Sequence, residues 1–105
     1  MFKHRSPKLV DYDVKKIKPS RLIALYLIHS CIYYELGESV ISDKTYDEIA
    51  QRIKSQWMFI RHQHKDLIDR KALGTSGFYL KYPTIVQQTA KMTLEQWQQG
   101  KLKSD

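Results

Sequence analysis

The apolar positions between residues 43 and 62 recur at the spacing of one helix face. They step along the chain by three, one, three, four and three residues, with mostly charged or amide side chains between them. This spacing predicts an amphipathic helix, and either Ser42 or Asp43 can cap its first turn. The apolar positions are Tyr46, Ile49, Ala50, Ile53, Trp57 and Ile60.

Residues 21–36 are apolar around most of the circumference of a helix, rather than along one stripe. This pattern predicts a second helix that is central and more deeply buried. We expect Ser20 to cap its start and Gly37 to end it, because glycine adopts the left-handed conformation without a steric penalty. The connection between the two helices is short, which makes them antiparallel neighbours.

Weaker signals predict short helical segments in the C-terminal third. Asp66–Leu73 has the composition of a short helix, and Pro83 suits the first position of another over residues 84–91. Thr93 and the glutamine three residues later resemble a capping box, with Trp97 facing inward and a glycine three residues further as the stop. Residues 78–82 read as a short extended segment.

The predicted fold class is mainly α, a small helical domain built on an antiparallel helix pair (about 21–36 and 43–62) with short C-terminal helices. The chain has 105 residues, the size of a single small domain. We expect a basic N-terminal arm over residues 1–20, one helical domain over 21–100, and a tail over 101–105.

The positive charge of the chain is concentrated in the arm. Eighteen Lys and Arg residues against eleven Asp and Glu residues give a net charge of +7, and seven of the eighteen lie in residues 1–21. Such an excess favours a polyanionic partner. The candidate phosphate or nucleic-acid contacts are Lys15, Lys16, Lys18, Arg21 and Arg52.

Several classes of protein are excluded by the sequence. No apolar run approaches the roughly 20 residues that cross a bilayer, and the N-terminus lacks the apolar region of a signal peptide. The single cysteine, Cys31, fits a reducing cytoplasm.

We expect no metal site, because His62 and His64 have no further ligands at zinc spacing. We interpret His29 as a core histidine whose polar groups are satisfied.

The residue types that could bind a ligand meet where the first helix ends and the second begins. Tyr33 and Tyr34 close the first helix, and Asp43, Tyr46 and Asp47 open the second. A flat, cationic ring could lie against the tyrosines, while the carboxylates accept hydrogen bonds from ribose hydroxyls or an amide. The alternative is that these residues have structural roles: Tyr33, Tyr34 and Tyr46 pack in the core, and Asp43 caps the second helix.

This junction resembles the small helical N-terminal subdomain of NAD-dependent DNA ligases, which holds the nicotinamide mononucleotide (NMN) half of NAD. The resemblance covers about residues 22–68. It implies that Tyr33, Tyr34, Asp43, Tyr46 and Asp47 bind the nicotinamide nucleotide. The matching segments are Tyr33-Tyr34, Ile41-Ser42-Asp43, Tyr46-Asp47 with Ile49 in place of the family's Leu, and, more faintly, His64-Lys65-Asp66-Leu67.

The chain also departs from the ligase pattern. In the family, this subdomain precedes an adenylation domain whose nucleophile lies in a Lys-x-Asp-Gly motif, and no Asp-Gly pair occurs here. The usual Ala-Pro-Glu of the loop is Glu38-Ser39-Val40. We therefore expect a stand-alone, non-catalytic domain that requires no cofactor and takes NMN or NAD as its ligand. Such a protein suits a bacteriophage and would modulate NAD-dependent or DNA metabolism in the host cytoplasm.

A function of a different class is compatible with the same charge distribution. The chain would then be a phage-type interaction protein or inhibitor that binds DNA or a host protein through its basic arm.

Overall fold

Three α-helices make up most of the described chain. A computed structural model of the protein describes residues 9–68 and 82–101. The helices are α1 (Pro19–Tyr34), α2 (Asp43–Ser55) and α3 (Thr84–Gln98), and 3₁₀ turns lie at Val14–Lys16, Trp57–Phe59 and Lys65–Leu67. Neither described range contains a strand. The prediction of a mainly α fold is confirmed.

Helix α1 is the centre of the fold, as its apolar circumference predicts. It packs against both α2 and α3, and Leu22, Ile23 and Leu27 are 0% exposed. Burial of each such side chain contributes about 1.5–3 kcal/mol relative to exposure. The hydrophobic effect therefore holds the other elements around this one helix.

Both ends of α1 lie two residues earlier than predicted. The helix begins at Pro19, not after a Ser20 cap, because proline at the first position has its backbone angle fixed and no N–H to satisfy. It ends at Tyr34 rather than at residue 36. The left-handed conformation predicted for Gly37 is confirmed, with φ +71°, but this glycine lies in the turn two residues beyond the C-cap, Glu35.

Helix α2 ends at Ser55, so the prediction that it continues to about residue 62 is wrong. The chain continues in a 3₁₀ turn, where Lys65 Nζ donates to the carbonyls of Trp57 (2.6 Å) and Ile60 (3.2 Å). Ile60 is nevertheless buried. Apolar spacing shows which side chains are buried, not whether the backbone is helical. It therefore continues past Ser55, because the 3₁₀ turn buries residues on the same side of the chain.

The C-terminal segment forms one helix where the sequence predicts two. Thr93 lies in the middle of α3 and does not cap a new helix, while Pro83 is the N-cap and not the first helical residue. Val86, Ala90 and Trp97 are buried at spacings of four and seven residues, so a single apolar face runs the length of α3. No residue between Val86 and Trp97 interrupts the helix.

The segment before α1 packs against α2. Residues 9–17 belong to the predicted basic arm, yet Tyr12, Val14 and Ile17 are buried in the core. Arg52, in the last turn of α2, donates from Nη1 to the carbonyls of Val14 (2.5 Å) and Ile17 (2.7 Å). The described part of the arm is therefore built into the helical domain.

Several predictions fall outside the described residues. These are the first eight residues of the arm, the helix predicted over 66–73 beyond Ile68, most of the extended segment 78–82, and residues 102–105 of the tail. Within the described part of the chain, no helix has the length and apolar character needed to cross a membrane.

We predict that the substitution Arg52→Ala destabilises the protein by about 1.5–3 kcal/mol, the range for hydrogen bonds to a charged group. The guanidinium also donates to Gln56 Oε1 at 2.8 Å, so three bonds are lost at once. The measurement is equilibrium unfolding in urea.

The matched control is Gln51→Ala at the preceding, exposed position of α2. Arginine, glutamine and alanine all favour helices, so propensity differs little between the two variants. The control is expected to change the free energy of unfolding by at most about 0.5 kcal/mol. Equal urea midpoints for the two variants would contradict the role given to Arg52.

Candidate functional site

The junction between α1 and α2 is fixed by contacts on both sides of the loop. Tyr46, at the start of α2, stacks on Tyr26 of α1, with ring centroids 5.2 Å apart and an interplanar angle of 19°. Its hydroxyl lies 2.6 Å from Ser30 Oγ. Since the last turn of α2 contacts the segment that precedes α1, the two helices run antiparallel, as predicted.

A cavity of about 270 Å³ lies at this junction. It is formed by the last turns of α1, the connecting loop and the first turns of α2. All five residues that the sequence predicts as ligand contacts line it, so the structure brings them to one place. The lining residues are His29, Tyr33, Tyr34, Ser39, Val40, Ile41, Asp43, Tyr46 and Asp47.

The three tyrosines differ in how much of each ring is available. Tyr33 is 53% exposed and meets Tyr34 edge to face, with ring centroids 4.8 Å apart. Tyr46 is half-buried between Tyr26 and the cavity, and burial raises its pKa, so its hydroxyl stays protonated. A ring in the cavity would therefore meet the exposed face of Tyr33 more freely than that of Tyr46.

The two carboxylates of the cavity are not helix caps. Ser42 is the N-cap of α2, and its Oγ accepts from the Thr45 N–H at 3.1 Å. Asp43 and Asp47 are exposed, lie four residues apart on one face of α2, and both line the cavity. The capping role left open for Asp43 is therefore wrong, and both carboxylates can accept hydrogen bonds from a ligand.

Asp11 holds the first turn of α2 in place from outside the cavity. Its Oδ1 accepts from Thr45 Oγ1 at 2.7 Å and from Ser42 Oγ at 2.8 Å. These two bonds lower the pKa of Asp11 below its ordinary value of 3.8. The N-terminal segment thereby positions the helix turn that carries the carboxylates.

His29 is the lining residue that the sequence prediction missed. It is buried as expected, but it is not satisfied: Nε2 lies 3.1 Å from the Tyr12 hydroxyl, while Nδ1 has no hydrogen-bond partner among the described residues. Burial lowers its pKa to about 4, so the ring is neutral at pH 7. Its position one turn before Tyr33 on the same helix face was the available sequence signal.

The predicted phosphate contacts lie away from the cavity. Lys15, Lys16, Lys18 and Arg21 are exposed, and none lines it. Arg52 is already bound to backbone carbonyls, which makes it a structural residue and a poor candidate for a phosphate.

Two histidines line a second, smaller cavity of about 180 Å³ between α1, α3 and residues 62–64. Their ring centroids lie 5.4 Å apart, and Nδ1 of His62 accepts from the His64 N–H at 3.0 Å. The described residues include no cluster of three or more side chains that could hold a metal ion.

Elsewhere in the core, burial raises the pKa of the Cys31 thiol, which keeps it protonated at pH 7.

No protein-family model, curated protein or solved structure matches the chain. The resemblance to the ligase subdomain therefore stays a prediction, and the site rests on its own geometry.

We predict that Asp11 makes stability depend on pH in the acid range. Because its pKa is lower in the folded than in the unfolded state, its contribution is full above the unfolded value and is lost as pH falls through the folded one. Wild type should melt at a higher temperature than Asp11→Asn at pH 7, and the difference should shrink below about pH 4. Thermal melts followed by circular dichroism measure both.

Asp13→Asn serves as the control for the loss of one negative charge from this segment, since the ion pair of Asp13 within the described residues is with exposed Lys16, at 3.8 Å. If Asp11→Asn and Asp13→Asn melt alike at pH 7, Asp11 does not stabilise the start of α2.

Proposed function

We propose that this chain is a non-catalytic domain that binds a nicotinamide nucleotide, NMN or the nicotinamide end of NAD, in the 270 Å³ cavity. We further propose kinship with the N-terminal subdomain of NAD-dependent DNA ligases. The observation that carries the proposal is the convergence of Tyr33, Tyr34, Asp43, Tyr46 and Asp47 on one cavity.

The chemistry of the cavity lining supports a cationic aromatic ligand. The nicotinamide ring of these nucleotides is a pyridinium, which is attracted to the face of a tyrosine ring. Asp43 and Asp47 add negative charge beside the tyrosines and accept hydrogen bonds from ribose hydroxyls. A neutral or anionic ring would gain less from the same carboxylates.

The size of the cavity supports a ring with its ribose rather than a whole dinucleotide. Pockets for drug-sized ligands span about 300–1,000 Å³, and this one lies just below that range. The phosphate would then lie outside the cavity. Lys44, exposed beside Asp43 in the first turn of α2, is the nearest cation in the sequence.

We predict that the full chain binds NMN, and that Asp43→Asn and Asp47→Asn each weaken binding about tenfold or more, since charge-assisted hydrogen bonds contribute about 1.5–3 kcal/mol. Isothermal titration calorimetry measures the affinities. AMP is the matched ligand control, because it has ribose and phosphate but no cationic ring.

Glu48→Gln is the matched variant control: it removes one negative charge at the next position of α2, and Glu48 does not line the cavity. It should bind NMN as wild type does. Absence of heat with NMN, equal heat with AMP, or equal losses in Asp47→Asn and Glu48→Gln would each refute the proposal.

A second candidate function is DNA binding by the basic residues at the start of α1. Lys15, Lys16, Lys18 and Arg21 are exposed within seven residues, and the segment that carries the lysines is held to α2 by Arg52. A fixed group of cations can neutralise neighbouring phosphates and release their counterions.

For this second candidate, we predict that affinity for a DNA duplex falls linearly with salt concentration on a logarithmic scale. The slope should be close to −0.9 per phosphate contacted. The double variant Lys15→Ala/Lys18→Ala should make the slope shallower by the amount expected for about two phosphate contacts. Lys44→Ala, an exposed lysine at the start of α2 and at the opposite end of that helix from Arg52, should not change it. Fluorescence anisotropy between 50 and 200 mM salt measures it, and a slope unaltered by the double variant would exclude this surface.

A further inference from the structure

His29 combines two properties that native proteins rarely allow together. It is 4% exposed, and its Nδ1 is a buried side-chain nitrogen without a hydrogen-bond partner in the described part of the chain. Buried polar groups are almost always hydrogen-bonded, because an unpaired one loses its hydration without compensation. Such an exception therefore calls for a functional explanation, and His29 lines the cavity.

The other nitrogen of His29 is already in use. Nε2 lies 3.1 Å from the hydroxyl of buried Tyr12, and the two rings meet edge to face with centroids 5.6 Å apart. Tyr12 comes from the segment before α1 and does not line the cavity. Tyr12 therefore occupies Nε2, and Nδ1 is the remaining hydrogen-bonding atom of the His29 ring.

A neutral imidazole has one donor nitrogen and one acceptor nitrogen. The Tyr12 hydroxyl can either donate to Nε2 or accept from it, and Nδ1 then takes the opposite role to Nε2. A ligand group that carries both a donor and an acceptor on one carbon matches Nδ1 in either case. A primary carboxamide is such a group, with its C=O and its NH₂.

Building on the function proposed above, we propose that His29 Nδ1 hydrogen-bonds the carboxamide of the bound ring and makes the cavity selective for nicotinamide over nicotinate. His29 and Tyr33 are four residues apart on α1, a spacing of about 5–6 Å between Cβ atoms. A ring against Tyr33 therefore has its substituents within reach of His29. A carboxylate there could only accept a hydrogen bond, and its charge would oppose Asp43 and Asp47.

The test pairs a change in the ligand with a change in the protein. NMN and the pyridinium ribonucleotide that lacks the carboxamide are titrated into wild type and into His29→Leu. Loss of the carboxamide should weaken binding to wild type about tenfold, and to His29→Leu less than about twofold. His64→Leu, in the second cavity, is the matched control and should show the wild-type ratio.

The outcomes separate this inference from the proposed function. If wild type binds neither nucleotide, both fail. If wild type binds NMN but the carboxamide has the same effect in wild type and His29→Leu, the histidine is structural and this inference alone fails. Nicotinic acid mononucleotide should bind wild type at least tenfold more weakly than NMN, and equal affinities would overturn the claimed selectivity.

A measurement on wild type avoids any effect of the substitution on folding. In the protein with ¹⁵N-labelled histidine, the Nδ1 resonance of His29 should shift when NMN is added and stay in place with the analogue that lacks the carboxamide. Equal shifts with both nucleotides, or no shift with NMN while calorimetry shows binding, would overturn the inference.

Discussion

The need to cover α1 on most of its sides determines most of this structure. A helix that is apolar around most of its circumference must be largely enclosed, and here α2, α3 and the segment that carries Tyr12 pack around it. Enclosure also buries the polar side chains of α1, which then need partners from the covering elements. Tyr46 of α2 supplies one to Ser30, and Tyr12 of the N-terminal segment supplies one to His29. The cavity lies at the end of α1, where the enclosing elements leave a gap lined by polar and aromatic groups.

The sequence predicts correctly those parts of the fold that depend on residues close together in the chain, such as helix caps and turns. The start of α2 follows from the Ser42 cap, and the end of α1 is marked by Gly37. The end of α2 was missed because apolar spacing records which side of the chain is buried, and a 3₁₀ turn can bury Ile60 as well as a helix can. The attachment of the N-terminal segment was missed for another reason: Asp11 meets Ser42 and Thr45 across 31 and 34 residues, and such contacts have no local pattern.

The candidate site was more predictable than the fold around it. Its five residues lie in two short stretches joined by one loop, so helical spacing and an antiparallel turn suffice to bring them together. His29 differs because its identity and burial fit an ordinary core histidine. What distinguishes it is one nitrogen without a partner in residues 9–68 and 82–101, and only the three-dimensional surroundings can reveal that absence.

The charge of the chain takes on a different meaning once the cavity is located. A net charge of +7 favours anions over the surface as a whole, yet the cavity contributes two carboxylates and no cation from its lining. Screening limits the reach of surface charges to about 8–10 Å, so the local carboxylates dominate inside the cavity and the lysines dominate beyond it. A ligand with a cationic ring and an anionic phosphate matches both regions at once. The nicotinamide nucleotide proposed here has that distribution of charge, whereas a purely anionic ligand would match only the outer surface.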